Sequence, residues 1–438
     1  MLRRDFCKLL GAGLVMPEFL VARNPSAALP CAPMLGRPQQ DGVTINVLAG
    51  PEMQGLLRCR HRPAEGGVWC QAGENAFPAD GVLETRIMGL TPGRVYSYEI
   101  FSTHDSPSQV VHSGMFSTRP LPGAGFSAAL ISDMHLLPGY GSRGALCQAA
   151  CEAALARDVD FAILLGDNFQ TLSSHGGPMT HDRMGPNLYG HLRSCLGALP
   201  GACPVFHVNG NWDGENGWHS QAERARARAA RMLFMPNPDP ATYPQGGSPA
   251  EDYYAFTWSD VLCVVLNVTG YTLSDHAIGS TEGRADDWTL GRDQFAWLER
   301  VLAGSGEKWK LVFIHHTVGG YGADDLNSRY GRGGGRAAKV GEQARVHDLL
   351  VRYGVRALFY GHDHVFTDME VDGVHYTCVG SAGAPWLFDS DVTGYAQAVR
   401  EPGFTLVDYD GSSVIVRYIT LAHLPAGRVA HEYRMATV

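Results

Sequence analysis

The sequence predicts an α/β domain of four layers, with helices outside two mixed sheets, preceded by a small all-β sandwich. Three observations support this. Beyond residue 124, short apolar runs alternate with helical stripes, as strand–helix units do. Residues about 36–119 alternate apolar and polar in short strands, with Gly, Pro and Asp between them. Arg119-Pro120-Leu121-Pro122-Gly123 separates the two regions with a linker composition.

In chain order, Met1-Leu2-Arg3-Arg4-Asp5-Phe6-Cys7-Lys8-Leu9-Leu10 opens the sequence, and small residues follow at Ser26-Ala27-Ala28. This resembles a bacterial twin-arginine export signal. The resemblance implies a signal and linker over 1–35, the twin-arginine export machinery as a partner, and a periplasmic or secreted destination. In 36–119 the strands are VTINVLA, LLRCRHR, LETRIMGL, VYSYEIFS and GMFSTRP. Leu90-Thr91-Pro92-Gly93 before Val95-Tyr96 resembles the corner of a fibronectin-type sandwich, with Tyr96 as the corner tyrosine. Tyr96, Tyr98 and Ile100 then share one face.

Folding RCRHRPAEGGVWC into a hairpin centred on Ala64-Glu65 sets Cys59 opposite Cys70, and predicts a disulfide between them. From 124 to 438, ALCQAACEAALARD carries a stripe at Leu146, Ala149, Ala150 and Ala153, and RDQFAWLERVL one at Phe295, Leu298 and Leu302. Arginines in ARARAARM read as the solvated face of a helix. Turns at Asp372-Gly373 and Asp410-Gly411 mark closing hairpins.

The bulk properties exclude some functions. The 438 residues carry a net charge of −9, with 45% apolar and 18% charged residues, so no basic nucleic-acid footprint is expected. Past the N-terminus, no apolar run reaches the length of a membrane span. The ten cysteines contain no C-x-x-C pair, which argues against a zinc finger.

Five blocks carry the chemistry, each behind an apolar run: Asp133-Met134-His135, Gly166-Asp167-Asn168, Gly210-Asn211-Trp212-Asp213, His315-His316 and Gly361-His362-Asp363-His364. Parallel sheets present ligands at the carboxyl ends of their strands, so adjacent runs would gather these groups in one crevice. In an extended Asp-x-His, residues i and i+2 point the same way and can reach one ion. Imidazole nitrogens with carboxylate and amide oxygens suit Zn, Mn or Fe. Asp167, between the groups, can bridge two ions. Any single block is weak, because a lone Asp after a strand is commonly a helix cap. The ordered set is specific.

The set resembles the calcineurin-like metallophosphoesterases, and the sandwich resembles the one preceding the catalytic domain in purple-acid-phosphatase-like proteins. The resemblance implies two divalent or trivalent metal ions and a small phosphate ester substrate. It implies Asp133, His135 and His364 on one ion, Asn211, His315 and His362 on the other, and Asp167 between. His315 is preferred to His316 because it directly follows LVFI.

Two departures from the family pattern matter. Purple acid phosphatases have Asp-x-Gly in the first block and a ligating tyrosine three residues after the bridging aspartate. Here His135 and Gln170 occupy those places, so no purple band is expected. Most of the family has histidine where this chain has Trp212, and indole cannot supply a proton. Three outcomes are open: His316 or His219 stands in, the substrate has a good leaving group, or the enzyme is slow. The expected function is therefore an exported phosphoesterase of mono- or diesters, with Asn211, Asp167, His316 and Trp212 as the catalytic set. The alternative is a metal-binding protein with vestigial catalysis. Arg332 in the 330–336 loop, His175 and His181 are further candidates for contacting substrate, with a surface role as the alternative.

Overall fold

The computed structural model describes residues 31–50, 53, 57–72, 81–103, 109–138, 141–170, 172–173, 177–178, 186–217, 219–271, 288–318, 341–384, 397–422 and 427–436. The twin-arginine segment, His175, His181 and the 330–336 loop lie outside them.

The N-terminal region is all β. One antiparallel sheet joins Cys31–Gly36, Gly42–Ala49 and Val82–Met88; the other joins Cys70–Gln71, Leu57–Pro63, Val95–Ser102 and Val110–Ser117. Cys31–Gly36 lies in the stretch read as linker. Alternation along Val95–Ser102 sends Tyr96, Tyr98 and Ile100 into the shared core. The Tyr96 hydroxyl accepts the Thr91 amide at 2.9 Å, which makes the tyrosine corner.

The expected Cys59–Cys70 disulfide is not formed, and both cysteines are free. His61, not Cys59, pairs with Cys70, and the Cys59 carbonyl accepts the Ala72 amide at 3.0 Å. The turn runs on through Gly66 and Gly67, both at positive φ, which slides the register past the predicted centre. Cys59 is left in the core and Cys70 at the surface.

The larger region has four layers. A six-stranded sheet runs in the order Val205–His207, Phe161–Leu164, Phe126–Ile131, Gly403–Tyr409, Ser413–Thr420, Arg428–Ala436, with its first three strands parallel. A seven-stranded sheet has Val261–Val265, Trp309–Phe313, Ala357–Tyr360 and Val374–Val379 parallel at its centre. Phe126, Phe161, Phe206, Phe256, Trp258 and Phe313 belong to the apolar layer that packs the sheets face to face. Helices Gly141–Leu155 and Pro186–Leu196 cover one sheet, and Gly291–Gly304 and Gly341–Arg352 the other.

Both predicted helical stripes face inward, but each is rotated. Cys147 and Cys151 are more buried than Leu146, and Trp297 and Val301 more than Phe295. The turn at Asp372-Gly373 has positive φ at both residues, as a tight hairpin requires. The solvated reading of ARARAARM fails at Arg231, which is buried. Its guanidinium donates to both Glu215 oxygens and to the carbonyls of Ala250 and Glu251.

Buried arginines join the two regions. Arg193 on helix Pro186–Leu196 donates to the carbonyls of Ala32, Asn46 and Phe234 and to the Asn46 side chain. The terminal nitrogens of this buried guanidinium are hydrogen-bonded while its Nε has no partner, and the four bonds made offset much of the cost of burying the charge.

Candidate metal centre

The parallel strands of both sheets end at one edge, and the five blocks leave from those ends. Asp133 and His135 follow Phe126–Ile131, Asp167 follows Phe161–Leu164, and Asn211 follows Val205–His207. His315 follows Trp309–Phe313, and His362 and His364 follow Ala357–Tyr360. The backbone is not extended there, contrary to the expectation for Asp-x-His. Asp133, His135, Asp167, His362 and His364 all have φ between 45° and 72°. Left-handed turns, rather than strand alternation, therefore aim these side chains together, a conformation that costs free energy in non-glycine residues.

The side chains converge in two groups that share one carboxylate. Asp133, His135, Asp167 and His364 form one; Asp167, His315 and His362 form the other, with ligand-type atoms within 4.8 Å of each other in each group. His135 Nε2 lies 3.1 Å from His364 Nε2 and 3.5 Å from Asp167 Oδ2. His364 Nε2 is 3.4 Å from Asp133 Oδ1. On the other side, His315 Nε2 is 3.2 Å from Asp167 Oδ2. The Asn211 side-chain oxygen is 3.0 Å from both His315 Nε2 and His362 Nδ1.

Donors around a single zinc-like ion lie roughly 3–3.5 Å apart, given bonds of about 2.0–2.2 Å. The closest spacings, 3.0–3.5 Å, fit that, with His135 Nε2 and Asp133 Oδ1 wider at 4.0 Å, and the donor chemistry fits too. Ring nitrogens and carboxylate oxygens face one another here in a way a shared cation satisfies. His316 is not in this set. Its ring stacks on Trp288 at 3.9 Å and stands edge-on to His362 at 4.5 Å, with Nδ1 bonded to the Thr317 carbonyl at 2.7 Å.

The surroundings fix each group. His315 Nδ1 donates to the Leu165 carbonyl at 2.8 Å, which turns Nε2 toward Asp167. Asp133 accepts from the Ser132 hydroxyl at 2.7 Å and from the His362 amide at 3.0 Å. Gly361 is required: a Cβ there would overlap the Ser132 hydroxyl and approach Asp133 Oδ2 to 2.7 Å.

Gln170 does not face the cluster as a ligand would. Its side-chain oxygen accepts from Arg143, which also donates to the His135 carbonyl at 2.7 Å. Trp212 is half-buried, its amide donates to Asp167 Oδ1 at 2.8 Å, and its indole meets the His135 ring edge-on at 5.6 Å.

Burial and charge oppose each other in this site. Burial, with His364, His315 and Arg143 nearby, holds His135 well below the usual imidazole range, so it stays neutral and can ligate. Burial also disfavours the His315 cation, but Asp167 and Asp133 outweigh it and lift His315 to about 10. Those carboxylates would attract a metal cation by the same interaction. Burial raises Asp167.

Sequence reasoning missed two supporting residues. The Asp213 carboxylate reaches beyond its own turn. It accepts from the amides of Asp167, Asn168, Phe169 and Gly210 and from the Asn168 side chain. His207, beneath, bonds to Asn168 at 3.1 Å and Asn209 at 3.0 Å. Only the spacing of Asp213 after Gly210 signalled this in the sequence.

The four layers and the edge cluster define a metal-site α/β fold. The calcineurin-like phosphoesterase family profile matches residues 126–366, and the chain belongs to that family. Among solved structures, it is similar to one described as the structure of PhoD. They share 16% identity with a TM-score of 0.71, over 94% of this chain and 90% of that one. A second, described as GAP50, the anchor in the inner membrane complex of Plasmodium, shares 13% identity with a TM-score of 0.45, over 72% and 89%. No curated protein sequence matches the chain.

Proposed function

We propose that the chain is an exported dinuclear-metal phosphoesterase, hydrolysing phosphate mono- or diesters. The observation that carries this reading is the convergence of Asp133, His135, Asp167, Asn211, His315, His362 and His364 around one shared carboxylate. In it, Asp133, His135 and His364 hold one ion (Fe, Mn or Zn), Asn211, His315 and His362 hold the other, and Asp167 bridges. Bound there, the ions would supply hydroxide at neutral pH and neutralise charge on the phosphate.

The protein's own contributions follow from its geometry. The Trp212 amide holds Asp167 Oδ1 in place. The Asn211 amide, beside the second group, would also orient a phosphoryl oxygen. The Trp212 indole cannot protonate the leaving oxygen, and of His316 and His219 we assign His316, beside His362, to contact it. No helix among the described residues is long and apolar enough to cross a membrane. The export reading rests on the N-terminal sequence.

The test is hydrolysis of p-nitrophenyl phosphate and bis-p-nitrophenyl phosphate with added Mn or Zn, by the wild type and Asp167→Asn. Turnover abolished in the variant supports the enzyme. Tightly held ions with no turnover in the wild type would instead favour a metal-retaining binding protein.

A further inference from the structure

The solvent face of the four-stranded sheet carries a row of arginines although the chain as a whole is acidic, at −9. Strand Leu57–Pro63 buries Leu57 and Cys59 and turns Arg58, Arg60 and Arg62 outward. Opposite them on Val95–Ser102 lie Phe101, Glu99 and Ser97. Glu99 pairs with Arg60 at 2.5 Å, which leaves a surplus of positive charge on the face. Trp69 lies over the row, with the Arg62 guanidinium 4.4 Å and the Arg60 guanidinium 4.9 Å from its ring centroid. Arg60 also lies 5.2 Å from the Phe101 ring. Beside Trp69, Val68 is 85% exposed, the most exposed large apolar side chain among the described residues.

We propose that this face docks the protein on an anionic lipid bilayer. The argument is complementarity. An aliphatic side chain left in water next to an indole matches the boundary between headgroups and acyl chains, where tryptophan concentrates. A row of guanidiniums alongside matches lipid phosphates, which attract basic side chains within a Debye length. The whole chain, at −9, would be repelled by such a surface, so attraction of the sandwich to it relies on this local face. Arg60 and Arg62 are held against Trp69 and Phe101, so little of their side-chain freedom is lost on docking. The contact is peripheral and depends on salt.

The experiment is co-sedimentation of the purified chain with phosphatidylcholine vesicles, with and without phosphatidylglycerol. Wild type, Val68→Asp and Arg62→Glu share the same N-terminus, so any contribution from that segment cancels. The expected result is binding that requires phosphatidylglycerol, weakens with salt, and falls about tenfold or more in each variant. Circular dichroism and phosphate-ester hydrolysis should be unchanged, because Val68 is exposed, Arg62 is only half-buried, and both lie in the sandwich rather than in the metal cluster. No binding by the wild type, equal binding with and without phosphatidylglycerol, or equal binding by the folded variants would each overturn the proposal.

Discussion

The Asp213 carboxylate holds the backbone amide of Asp167 at 3.1 Å, so the residue proposed to bridge two ions is fixed by a second acid. The same carboxylate binds the amides of Asn168 at 2.9 Å and Gly210 at 2.9 Å, which ties two ligand loops from neighbouring strands into one unit. Burial, followed by the charge on Asp167, pushes Asp213 up to about 7.

Asp213→Asn should loosen that unit, because its new NH2 group would face amides that also donate. Partners of this kind are worth about 10–100-fold in metal affinity or activity. The expected outcome is a loss of that size in affinity for Mn or Zn, read by competition with a chelator, with the fold retained by circular dichroism.

Gly210 allows the closest approach between these loops. A Cβ there would overlap the Asp167 amide nitrogen and Oδ1. Gly210→Ala should therefore displace the shared carboxylate and cost about 1–3 kcal/mol of stability, as overpacking does. Chemical denaturation checks the stability, and metal content checks the site. An alanine variant with both unchanged would contradict the placement of Asp167.

Trp212→His tests proton delivery. A general acid at the leaving oxygen is typically worth about 10²–10⁴-fold. Hydrolysis of monoesters with poor leaving groups should rise in the variant, while p-nitrophenyl esters, whose leaving groups need little help, should change far less. A variant no faster than wild type on poor-leaving-group monoesters would mean that the indole does not limit the reaction.

Glu251 gives a pH signature away from the site. Burial raises it to about 7, more than Arg37 and Arg231 lower it, and its Oε2 has no hydrogen-bond partner. The folded state thus favours the protonated acid. The stabilisation is complete below the ordinary carboxyl range, near 4.5, and is lost as pH rises through about 7. Glu251→Gln, which cannot ionise, should be more stable than wild type above pH 7, by about 1–3 kcal/mol. The difference should vanish below about pH 4.5, as denaturant titrations at several pH values would show.

The strand-end blocks were legible because each places a metal-binding residue type directly after an apolar run, and the order of runs fixes a parallel core. Alternation likewise exposed the sandwich strands and the tyrosine corner at Tyr96. What stayed hidden were relationships between distant segments. Nothing local distinguishes Arg231, which pairs with Glu215 in the interior, from its solvent-facing neighbours Arg226 and Arg228. The Cys59–Cys70 register failed because two glycines can extend a turn without any apolar residue reporting it. The left-handed backbone at Asp133 and His135 was also unreadable, since that conformation is imposed by the Gly166 and Asp167 carbonyls that accept their amides. Arg193 gave no sign that it joins the two regions.

The most direct test is metal stoichiometry, by equilibrium dialysis and elemental analysis of the wild type and Asp167→Asn. The account predicts two ions per wild-type chain and at most one in the variant, because the lost carboxylate belongs to both groups. A wild type that holds fewer than two ions, or a variant that keeps both with unchanged affinity, would contradict a centre built around Asp167.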